Sequence, residues 1–533
     1  MNFKSTLTTY EQTGFFSKFV LDYLKGGEQL KPFYKYPVSI DGIRAAIADR
    51  KKYPGDRELL VAELQKQYRG ITLSAKQQFN LSQLNQPDTY TITTAHQPNL
   101  FTGHLYFIYK ILHAIKLCDK LRAEIPEHHF VPVFYMGSED ADLEELGHVT
   151  INGIKHEWQT EQTGAFGRMV IDKALIKILD TLAGELTVHP FGAEIVGQMK
   201  ACYTDGLTIE QATFKLINNL FGEYGLIVFL PDNPALKGAF IPIVEKELKE
   251  QFSYKMVADT VADFPAKYKV QAGGRALNLF YLNGNRRDRI EKHENRYTIM
   301  DTGINLSPAE ILLELKTNPE RFSPNVILRP VFQEMILPNI VFIGGGGEVA
   351  YWLELKKVFD AVQVPFPVIV LRNSILVVEK KVSEKWRALG FSNTDLFKPE
   401  QDLMKLLVKR DSAVQLNLEK EKQGIHTFYT QLKSTAGAVD TTLHKHVAAL
   451  EKQALTRIEA LEKKMLRAEK RKFEAQQRQL NKLKTQLFPH QSLQERVENL
   501  MPFYAKWGNG FIKHIYENSL GLEQDFVILE EAE

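Results

Sequence analysis

Residues 89–121 constrain the fold more than any other part of this chain. They open with the segment TYTITT, in which nearly every residue is β-branched, and this composition predicts a buried strand. A polar turn, AHQPNLFTG, comes next, and apolar residues then recur every three or four positions up to Leu121, which predicts an amphipathic helix. Strand, turn and helix in this order form the repeating unit of open α/β sheets. We therefore predict an α/β fold with a mostly parallel sheet.

Polar residues follow this strand and three further predicted strands, at 130–136, 339–343 and 367–371. The carboxyl ends of neighbouring parallel strands meet at one edge of a sheet, so these residues are expected around one crevice. Imidazole, carboxylate, glycine backbone and guanidinium together suit a nucleotide phosphate beside an amine or amino acid. The candidate residues are His96, Gln97, Asn99, Gly103 and His104 after the first strand; Ser138, Glu139, Asp140 and Asp142 after the second; Gly344, Gly345, Gly346, Gly347, Glu348, Tyr351 and Trp352 after the third, preceded by Arg329; and Arg372 and Asn373 after the fourth.

Structural explanations compete with a functional one for each group. A single histidine at a strand end is more often hydrogen bonded within the fold than catalytic, although His96 and His104 flank one helix start. The acidic run could cap the next helix, with Ser138 as the N-cap. The glycine run 344–347 could be only a tight turn, because it has neither GxGxxG spacing nor the lysine of a phosphate-binding GxxxxGK[ST] loop. The residues alone leave both explanations open.

Composition excludes several classes of protein. The chain has 533 residues, 44% of them hydrophobic, and a net charge of +2, so it can bury a large core and implies no polyelectrolyte partner. Cys118 and Cys202 form no CxxC pair, which argues against a disulfide scaffold or a cysteine zinc site and fits a reducing cytoplasm. The amino terminus lacks an apolar signal core, and no apolar run is long enough to predict a membrane span. We predict no metal ligands.

Residues 391–500 differ in character, because glycine and proline are nearly absent and apolar residues recur at helical spacing. This pattern predicts a coiled coil with a continuous helix of about 45 residues from Leu443 to Leu487, and an upstream stripe at 418–439 could be its antiparallel partner. Residues 451–484 hold eleven Lys/Arg against five Asp/Glu. A solvated face and a nucleic-acid-binding arm both explain this excess, but Phe473 is the one aromatic residue there, which weakens the second explanation.

Three segments resemble signatures of the BshC family, the cysteine-adding ligase of bacillithiol biosynthesis: HQPNLFTGHLYFIYK, the SEDAD run, and LRP with the later GGGGEVAYWLELKKVF. Departures from the family pattern are His104 in place of proline, Ala141 in place of histidine and Gly346 in place of proline. The resemblance covers nearly the whole chain and implies a Rossmann-like core similar to class I aminoacyl-tRNA synthetases. Its implied domains are a core at 1–390, with a helical lead-in at 1–88 and a connecting insertion at about 146–270; a coiled-coil domain at 391–500; and a segment at 501–533 that docks on the core or a partner subunit.

The resemblance also implies a reaction, in which the carboxylate of cysteine forms an amide with the amine of glucosaminyl malate. Carboxylates need activation for this step, so ATP or another nucleotide is expected, and the need for a metal is left open. His96 and His104 would stabilise charge on the phosphate, and Arg372 could bind it. Glu139, Asp140 and Asp142, with Glu348 as a further candidate, would hold an amino group, while the glycine run approaches nucleotide or malate.

The expected partners are these two small molecules and a second copy of the chain, joined through the coiled coil, with neither membrane nor nucleic acid. Two alternatives stay open from the sequence. One is a nucleic-acid-binding protein with a basic coiled arm, and the other is a nucleotide-binding dimeric scaffold without catalysis.

Overall fold

A computed structural model describes residues 2–53, 55–412 and 416–532. The strands are β1 Phe3–Thr8, β2 Thr89–His96, β3 His129–Met136, β4 His148–Ile151, β5 Ile154–Glu157, β6 Ile227–Phe229, β7 Leu279–Asn283, β8 Arg286–His293, β9 Arg296–Ile299, β10 Ile304–Leu306, β11 Phe322–Pro324, β12 Asn339–Gly344, β13 Val368–Leu371, β14 Ile375–Val378 and β15 Phe526–Glu531.

The α-helices are α1 Tyr10–Thr13, α2 Lys18–Leu24, α3 Ile40–Arg50, α4 Arg57–Gln67, α5 Ala75–Gln83, α6 Leu105–Glu124, α7 Leu143–Leu146, α8 Lys173–Leu186, α9 Gly192–Cys202, α10 Ile209–Phe221, α11 Pro234–Ala239, α12 Ile241–Glu250, α13 Phe252–Asp263, α14 Pro308–Thr317, α15 Arg329–Ile336, α16 Gly346–Glu354, α17 Lys356–Val362, α18 Lys380–Ala388, α19 Glu400–Asp411, α20 Glu419–Val439, α21 Leu443–Lys470, α22 Glu474–Leu487, α23 Leu500–Trp507 and α24 Asn509–Asn518. No described helix is both long enough and apolar enough to cross a membrane.

A five-stranded parallel sheet forms the centre of the first part of the chain, in the order β13-β12-β2-β3-β6. Residues of β2, β3, β12 and β13 are buried almost without exception, because helices cover both faces of a parallel sheet. Ile92, Phe130, Ile343 and Val370 belong to one core cluster, together with residues of α3 and α6. These observations confirm the predicted α/β fold and its parallel sheet.

An antiparallel sheet lies in the chain between β6 and β12, with the order β10-β9-β8-β7-β11. Its strands β7 and β8 form a hairpin in which Asn283 pairs with Arg286 across an Asn-Gly turn. The amino-terminal strand β1 pairs antiparallel with β15, so the two ends of the chain are joined over six residue pairs from Phe3–Glu531 to Thr8–Phe526.

Two compact units divide the described residues. The first comprises the described part of Met1–Val377 together with Ser492–Ala532, and the second comprises the described part of Val378–Gln491. The second unit contains α20 and α21, which run antiparallel and are linked by an ion pair from Lys422 to Glu462 (2.8 Å) and a hydrogen bond from His426 Nδ1 to Glu451 (2.6 Å). The coiled coil predicted there is thus confirmed, but its second helix is not continuous, because a 3-10 turn at Arg471–Phe473 separates α21 from α22.

Candidate active site

A cavity of about 1100 Å³ lies at the carboxyl edge of the parallel sheet. It is bounded by the turn after β2, the loop after β3, the glycine turn between β12 and α16, and one face of the antiparallel sheet. The structure therefore brings segments about 250 positions apart in the chain around one space. The candidate residues that line it are His96, Gln97, Glu139, Asp140, Arg329, Gly345, Gly346, Gly347, Glu348, Tyr351 and Arg372.

The ammonium group of Lys110 connects the turn after β2 to the glycine turn. Lys110 lies on α6 with only 3% of its side chain exposed, and its Nζ donates to the Ala95 carbonyl and to Glu348 Oε2, both at 2.6 Å. Glu348, the third residue of α16, also accepts from the Gly345 N–H at 2.8 Å through its Oε2, so its side chain bonds back to the backbone that precedes the helix. The Glu348 carboxylate is therefore occupied by bonds that shape the glycine turn.

His96 faces the cavity as a neutral imidazole. Burial, assisted by the positive charge of Lys110, lowers its pKa well below the ordinary value of 6.5. The ring packs against Tyr106 and Phe107, with centroids 5.3 and 5.5 Å away, and its Nε2 has no hydrogen-bond partner among the described residues. A buried, unpartnered ring nitrogen at a cavity wall is available to a ligand.

The two acidic residues of the loop after β3 that line the cavity differ in how far they are already paired. Glu139 forms an ion pair with the buried Lys237, and its Oε2 accepts from Ser323 Oγ at 2.7 Å. Asp140 has 40% of its side chain exposed; it accepts from Gln97 Nε2 at 3.1 Å and lies 3.8 Å from Arg287. Asp140 is therefore the more open carboxylate for a cationic ligand.

Two of the guanidinium groups that line the cavity are those of Arg329 and Arg287, and of the two only Arg287 has a carboxylate partner among the described residues, Asp140 at 3.8 Å. Arg329 is held by Gln333 Oε1 (3.1 Å) and the Tyr351 hydroxyl (3.0 Å), it stacks 5.1 Å over the Tyr135 ring, and it makes no ion pair with a described carboxylate. Arg287 stacks over a ring as well, 4.0 Å from the centroid of Phe280. Across the whole cavity the cationic side chains outnumber the acids: Lys110, Arg275, Arg287, Arg289, Lys292, Arg329, Arg372 and Arg496 against Glu139, Asp140, Glu291 and Glu348.

Several candidates have structural partners away from the cavity. His104 precedes α6, and its Nδ1 lies 3.1 Å from the Val497 carbonyl, so that nitrogen donates its proton there. Asp142, and not Ser138 as the structural explanation of the acidic run had it, is the N-cap of α7, accepting from the Glu145 N–H at 2.9 Å. Ser138 is buried, and a Cβ at Gly167 would lie 2.6 Å from its carbonyl oxygen.

The remaining candidates outside the cavity support the shape of the turns. Trp352 is fully buried and stacks 4.4 Å from Phe342. Gly103 has φ +59°, and a Cβ there would lie 2.7 Å from the Cβ of the buried Asn99, so these two residues pack against each other. Gly344 ends β12, and Asn373 accepts from the Leu520 N–H at 2.9 Å.

Arg372 lines the cavity but is already paired. Its Nη2 donates to Glu495 at 2.8 Å, and its Nη1 donates to the Asn373 carbonyl and to Ser374 Oγ. The guanidinium stacks 4.9 Å over the Tyr106 ring, and a Cβ at Gly345 would lie 3.6 Å from its Nε. Its charge is thus compensated by Glu495, while its Nε faces the glycine turn.

Sequence reasoning did not single out Lys110, Tyr106, Lys237, Arg287 or Arg496. Lys110 belongs to the quoted motif, but it lies among the apolar residues of α6. Arg287 and Arg289 are two positions apart on β8, so their side chains lie on the same face of the strand, and this spacing could have indicated a cationic face. Lys237 and Arg496 gave no signal, because each is far in sequence from every motif. Among the described residues, no group of three or more His, Cys, Asp or Glu side chains is arranged to hold a metal ion.

The fold and the cavity define a Rossmann-like α/β protein with a polar small-molecule site, followed along the chain by a helical coiled-coil domain. The chain belongs to the BshC family: the family model described as "Bacillithiol biosynthesis BshC, N-terminal Rossmann-like domain" matches residues 1–373, and the model of the family's C-terminal coiled-coil domain matches residues 375–531. These matches confirm the family and the Rossmann-like core expected from the sequence.

Curated relatives match along nearly their whole length. A protein of Flavobacterium johnsoniae is 38% identical, covering 98% of both chains, and one of Bacillus cereus is 25% identical, covering 94% of this chain and 95% of the other. Both are named "Putative cysteine ligase BshC". A solved structure from Campylobacter jejuni, titled as an arginyl-tRNA synthetase, covers 83% of this chain and 98% of its own at 9% identity, but its TM-score of 0.23 is too low to support an inference.

Proposed function

We propose that this chain is a carbon–nitrogen ligase that joins the carboxylate of cysteine to the amine of glucosaminyl malate. Membership of the BshC family and the names of its relatives support the assignment to a cysteine ligase. The single observation on which it depends most is the cavity, where a neutral imidazole, an open carboxylate, a glycine turn and weakly compensated guanidinium groups surround one space. Each of these groups suits a charged small molecule carrying both an amine and acids.

The reaction needs a co-substrate, because a carboxylate does not acylate an amine unaided at neutral pH. A cysteine carboxylate oxygen would bond to a phosphorus atom of a nucleoside triphosphate as the bond from that phosphorus to the remaining phosphate chain breaks and that chain leaves. The amine of glucosaminyl malate would then attack the activated carbonyl carbon and lose a proton, and the phosphate-containing group bound to the carboxyl would leave as the amide forms. The cavity fits such a molecule: its volume of about 1100 Å³ exceeds the ~300–1000 Å³ of ordinary ligand pockets, and it has an excess of cations. The amino-terminal end of α16 also suits a phosphate.

Three side chains take up the roles that the geometry favours. His96 donates a hydrogen bond from Nε2 to the negative charge that develops at the activated carboxylate. Asp140 contacts the cationic amine, because the carboxylates of Glu139 and Glu348 are engaged by Lys237 and Lys110. Arg329 binds a malate carboxylate, for which a planar guanidinium fork without an acidic partner is suited.

The proposed assembly is a homodimer of this chain. Apolar side chains remain exposed on α20 and α21, including Phe428 (58%) and Leu461 (47%), and a coiled coil between two copies would cover them. The cytoplasm is the proposed compartment, since Cys118 and Cys202 are free, buried thiols.

The direct test is incubation of the protein with glucosaminyl malate, cysteine and ATP, with mass detection of the amide product. We expect product formation that depends on all three compounds. Asp140→Asn should lower the rate about tenfold or more, whereas Glu144→Gln, which removes an exposed acid four residues away, should not. Absence of the amide with properly folded protein would contradict the proposed function.

A further inference from the structure

The short segment from Gln494 to Asn499 returns from the far end of the sequence and is fixed against the core around the candidate active site. Gln494 exchanges hydrogen bonds with the backbone of Val377, its Oε1 accepting at 3.0 Å and its Nε2 donating at 3.1 Å. Glu495 is fully buried and accepts from Arg372, Ser374 Oγ and the Ile375 N–H at 2.8 to 3.0 Å. The amino-terminal half of the segment is therefore held by side chains.

The carboxyl-terminal half of the segment binds the turn that precedes α6. The Val497 carbonyl lies 3.1 Å from His104 Nδ1, and the Glu498 carbonyl accepts from the Leu105 N–H at 2.8 Å. The buried Asn499 donates to the carbonyls of Phe101 (2.8 Å) and Gly103 (2.5 Å). Every residue of the segment but one thus bonds to the core through its side chain or its carbonyl group.

Arg496 is the exception. Its side chain lines the cavity and makes no hydrogen bond or ion pair with any described residue, although its neighbours on both sides are pinned. Burial, followed by the nearby Arg372 charge, lowers the pKa of its guanidinium, which marks a cation with little acidic compensation. A rigid backbone that holds an unpartnered guanidinium at a cavity wall is the arrangement that binds an anion with little loss of entropy.

The surroundings of Arg496 favour phosphate over carboxylate. Its charge acts on Tyr106 and His104, and the nearby Arg372 has its Nε facing Gly345 of the glycine turn. The first N–H groups of α16, a helix of nine residues, have no intrahelical acceptor, and Gly346 and Gly347 of its first turn line the same cavity as Arg496. A tetrahedral, multiply charged group satisfies several donors of this kind at once, whereas a single carboxylate offers two oxygens.

We propose that Arg496 is a phosphate-binding residue of the candidate active site, delivered by the carboxyl-terminal segment to the nucleotide that activates cysteine. This inference rests on the proposed function for the role of the nucleotide, but the binding of phosphate can be measured without catalysis. If Arg496 binds the phosphate, the candidate active site lacks one of its phosphate ligands without residues 492–499.

The test is titration calorimetry of the full chain with ATP alone and, separately, with glucosaminyl malate alone. Arg496→Gln should bind ATP about ten- to a hundredfold more weakly, the effect of removing a charge-assisted hydrogen bond, and should bind glucosaminyl malate as the wild type does. Arg496→Lys should retain part of the ATP affinity, because the charge remains while the fork is lost. Lys513→Gln is the control: it removes one positive charge at an exposed position of α24, and both affinities should be unchanged.

The possible results separate the two proposals. Equal ATP affinity in wild type and Arg496→Gln would overturn the phosphate assignment, as would a selective loss of glucosaminyl malate affinity or a wild type that binds no ATP. Binding of ATP that depends on Arg496, without formation of the amide, would leave the phosphate subsite standing and contradict the ligase. Equal thermal unfolding of the variants and the wild type verifies that each variant is folded.

Discussion

At the residue scale, the buried charge of Lys110 affects both its acceptors and the neighbouring His96. Lys110 is nearly inaccessible, yet its ammonium has a carboxylate and a carbonyl as acceptors, so the penalty of burying it is offset. The same cation helps to keep His96 neutral, because it opposes a second positive charge nearby. One buried lysine thus adds to the effect of burial in keeping the imidazole neutral, and it shapes the glycine turn.

Replacement of Lys110 by methionine keeps an unbranched side chain, one heavy atom shorter, and removes the charge. We expect Lys110→Met to lower the free energy of unfolding by about 1–3 kcal/mol, because the Ala95 carbonyl and Glu348 lose a donor. Product formation should fall more than tenfold, since the two turns are no longer joined. Denaturant unfolding and the amide assay measure these effects. The double variant with Glu348→Gln should recover part of the stability and none of the activity; full activity in the single variant would refute the coupling.

A second titratable group, Glu210, gives a pH dependence of stability. Its Oε2 is buried and has no hydrogen-bond partner among the described residues, and burial raises its pKa to about 7. The unfolded carboxyl titrates near 4.3. The folded protein therefore holds a proton that the unfolded chain releases between these values, so this contribution is complete below pH 4 and is lost as pH rises through 7.

We expect the wild type to lose about 1–3 kcal/mol more stability than Glu210→Gln when the pH rises from 5 to 8, because glutamine has no proton to release. Urea unfolding of both proteins at pH 5 and pH 8 measures the difference, and all other titrating groups cancel in the comparison. Parallel changes in the two proteins would show that Glu210 titrates normally.

At the element scale, the glycine turn is defined by what lies next to each glycine. A Cβ at Gly346 would be 2.7 Å from Val20 Cγ2, on the buried face of α2, whereas a Cβ at Gly347 would meet nothing within 4 Å. Both residues are in the first turn of α16 with ordinary helical geometry. Close packing against α2, rather than a need for unusual backbone angles, thus explains the glycine at 346.

This contrast gives a matched pair of variants. Gly346→Ala should lower the free energy of unfolding by about 1–2 kcal/mol, because valine is stiff and cannot move aside easily. Gly347→Ala should leave stability unchanged or slightly higher, since alanine favours a helix. Denaturation midpoints of the two variants and the wild type decide the matter. If the two substitutions cost the same, the packing explanation for Gly346 fails.

At the scale of the whole molecule, residues near the two ends of the chain pack together within the first unit. Strand β15 pairs with β1, and the segment before α23 reaches the turn before α6 through Asn499. The second unit folds its two long helices onto each other within one chain, so intramolecular packing satisfies only part of its apolar surface.

The exposed apolar side chains of the second unit predict a dimer. We expect the wild type to have twice the monomer mass by light scattering, and Leu450→Glu with Leu461→Glu to shift the protein toward monomer, because charge at a coiled-coil seam is costly. Lys463→Glu, which changes an exposed charge on α21, should keep the dimer. A monomeric wild type would rule out this assembly.

The sequence by itself determined the local units of this protein, because their signals are short-range. The β-branched run of β2, the apolar run of β3 and the glycine run before α16 each specify an element through neighbouring residues, and parallel pairing then places their polar ends together. Helical spacing likewise identified the antiparallel pair α20 and α21, although the 3-10 turn at 471–473 was missed since its residues are compatible with a helix.

Only the tertiary structure decided which polar groups are free to act. Glu139, Glu348 and Arg372 looked like open candidates in the sequence, but Lys237, Lys110 and Glu495 neutralise them, and these partners lie between about 100 and 240 positions away. Arg496 was invisible because no local pattern shows that its neighbours are pinned to the core while it is not. Ion pairing and burial depend on distance in space, and a sequence records distance only along the chain.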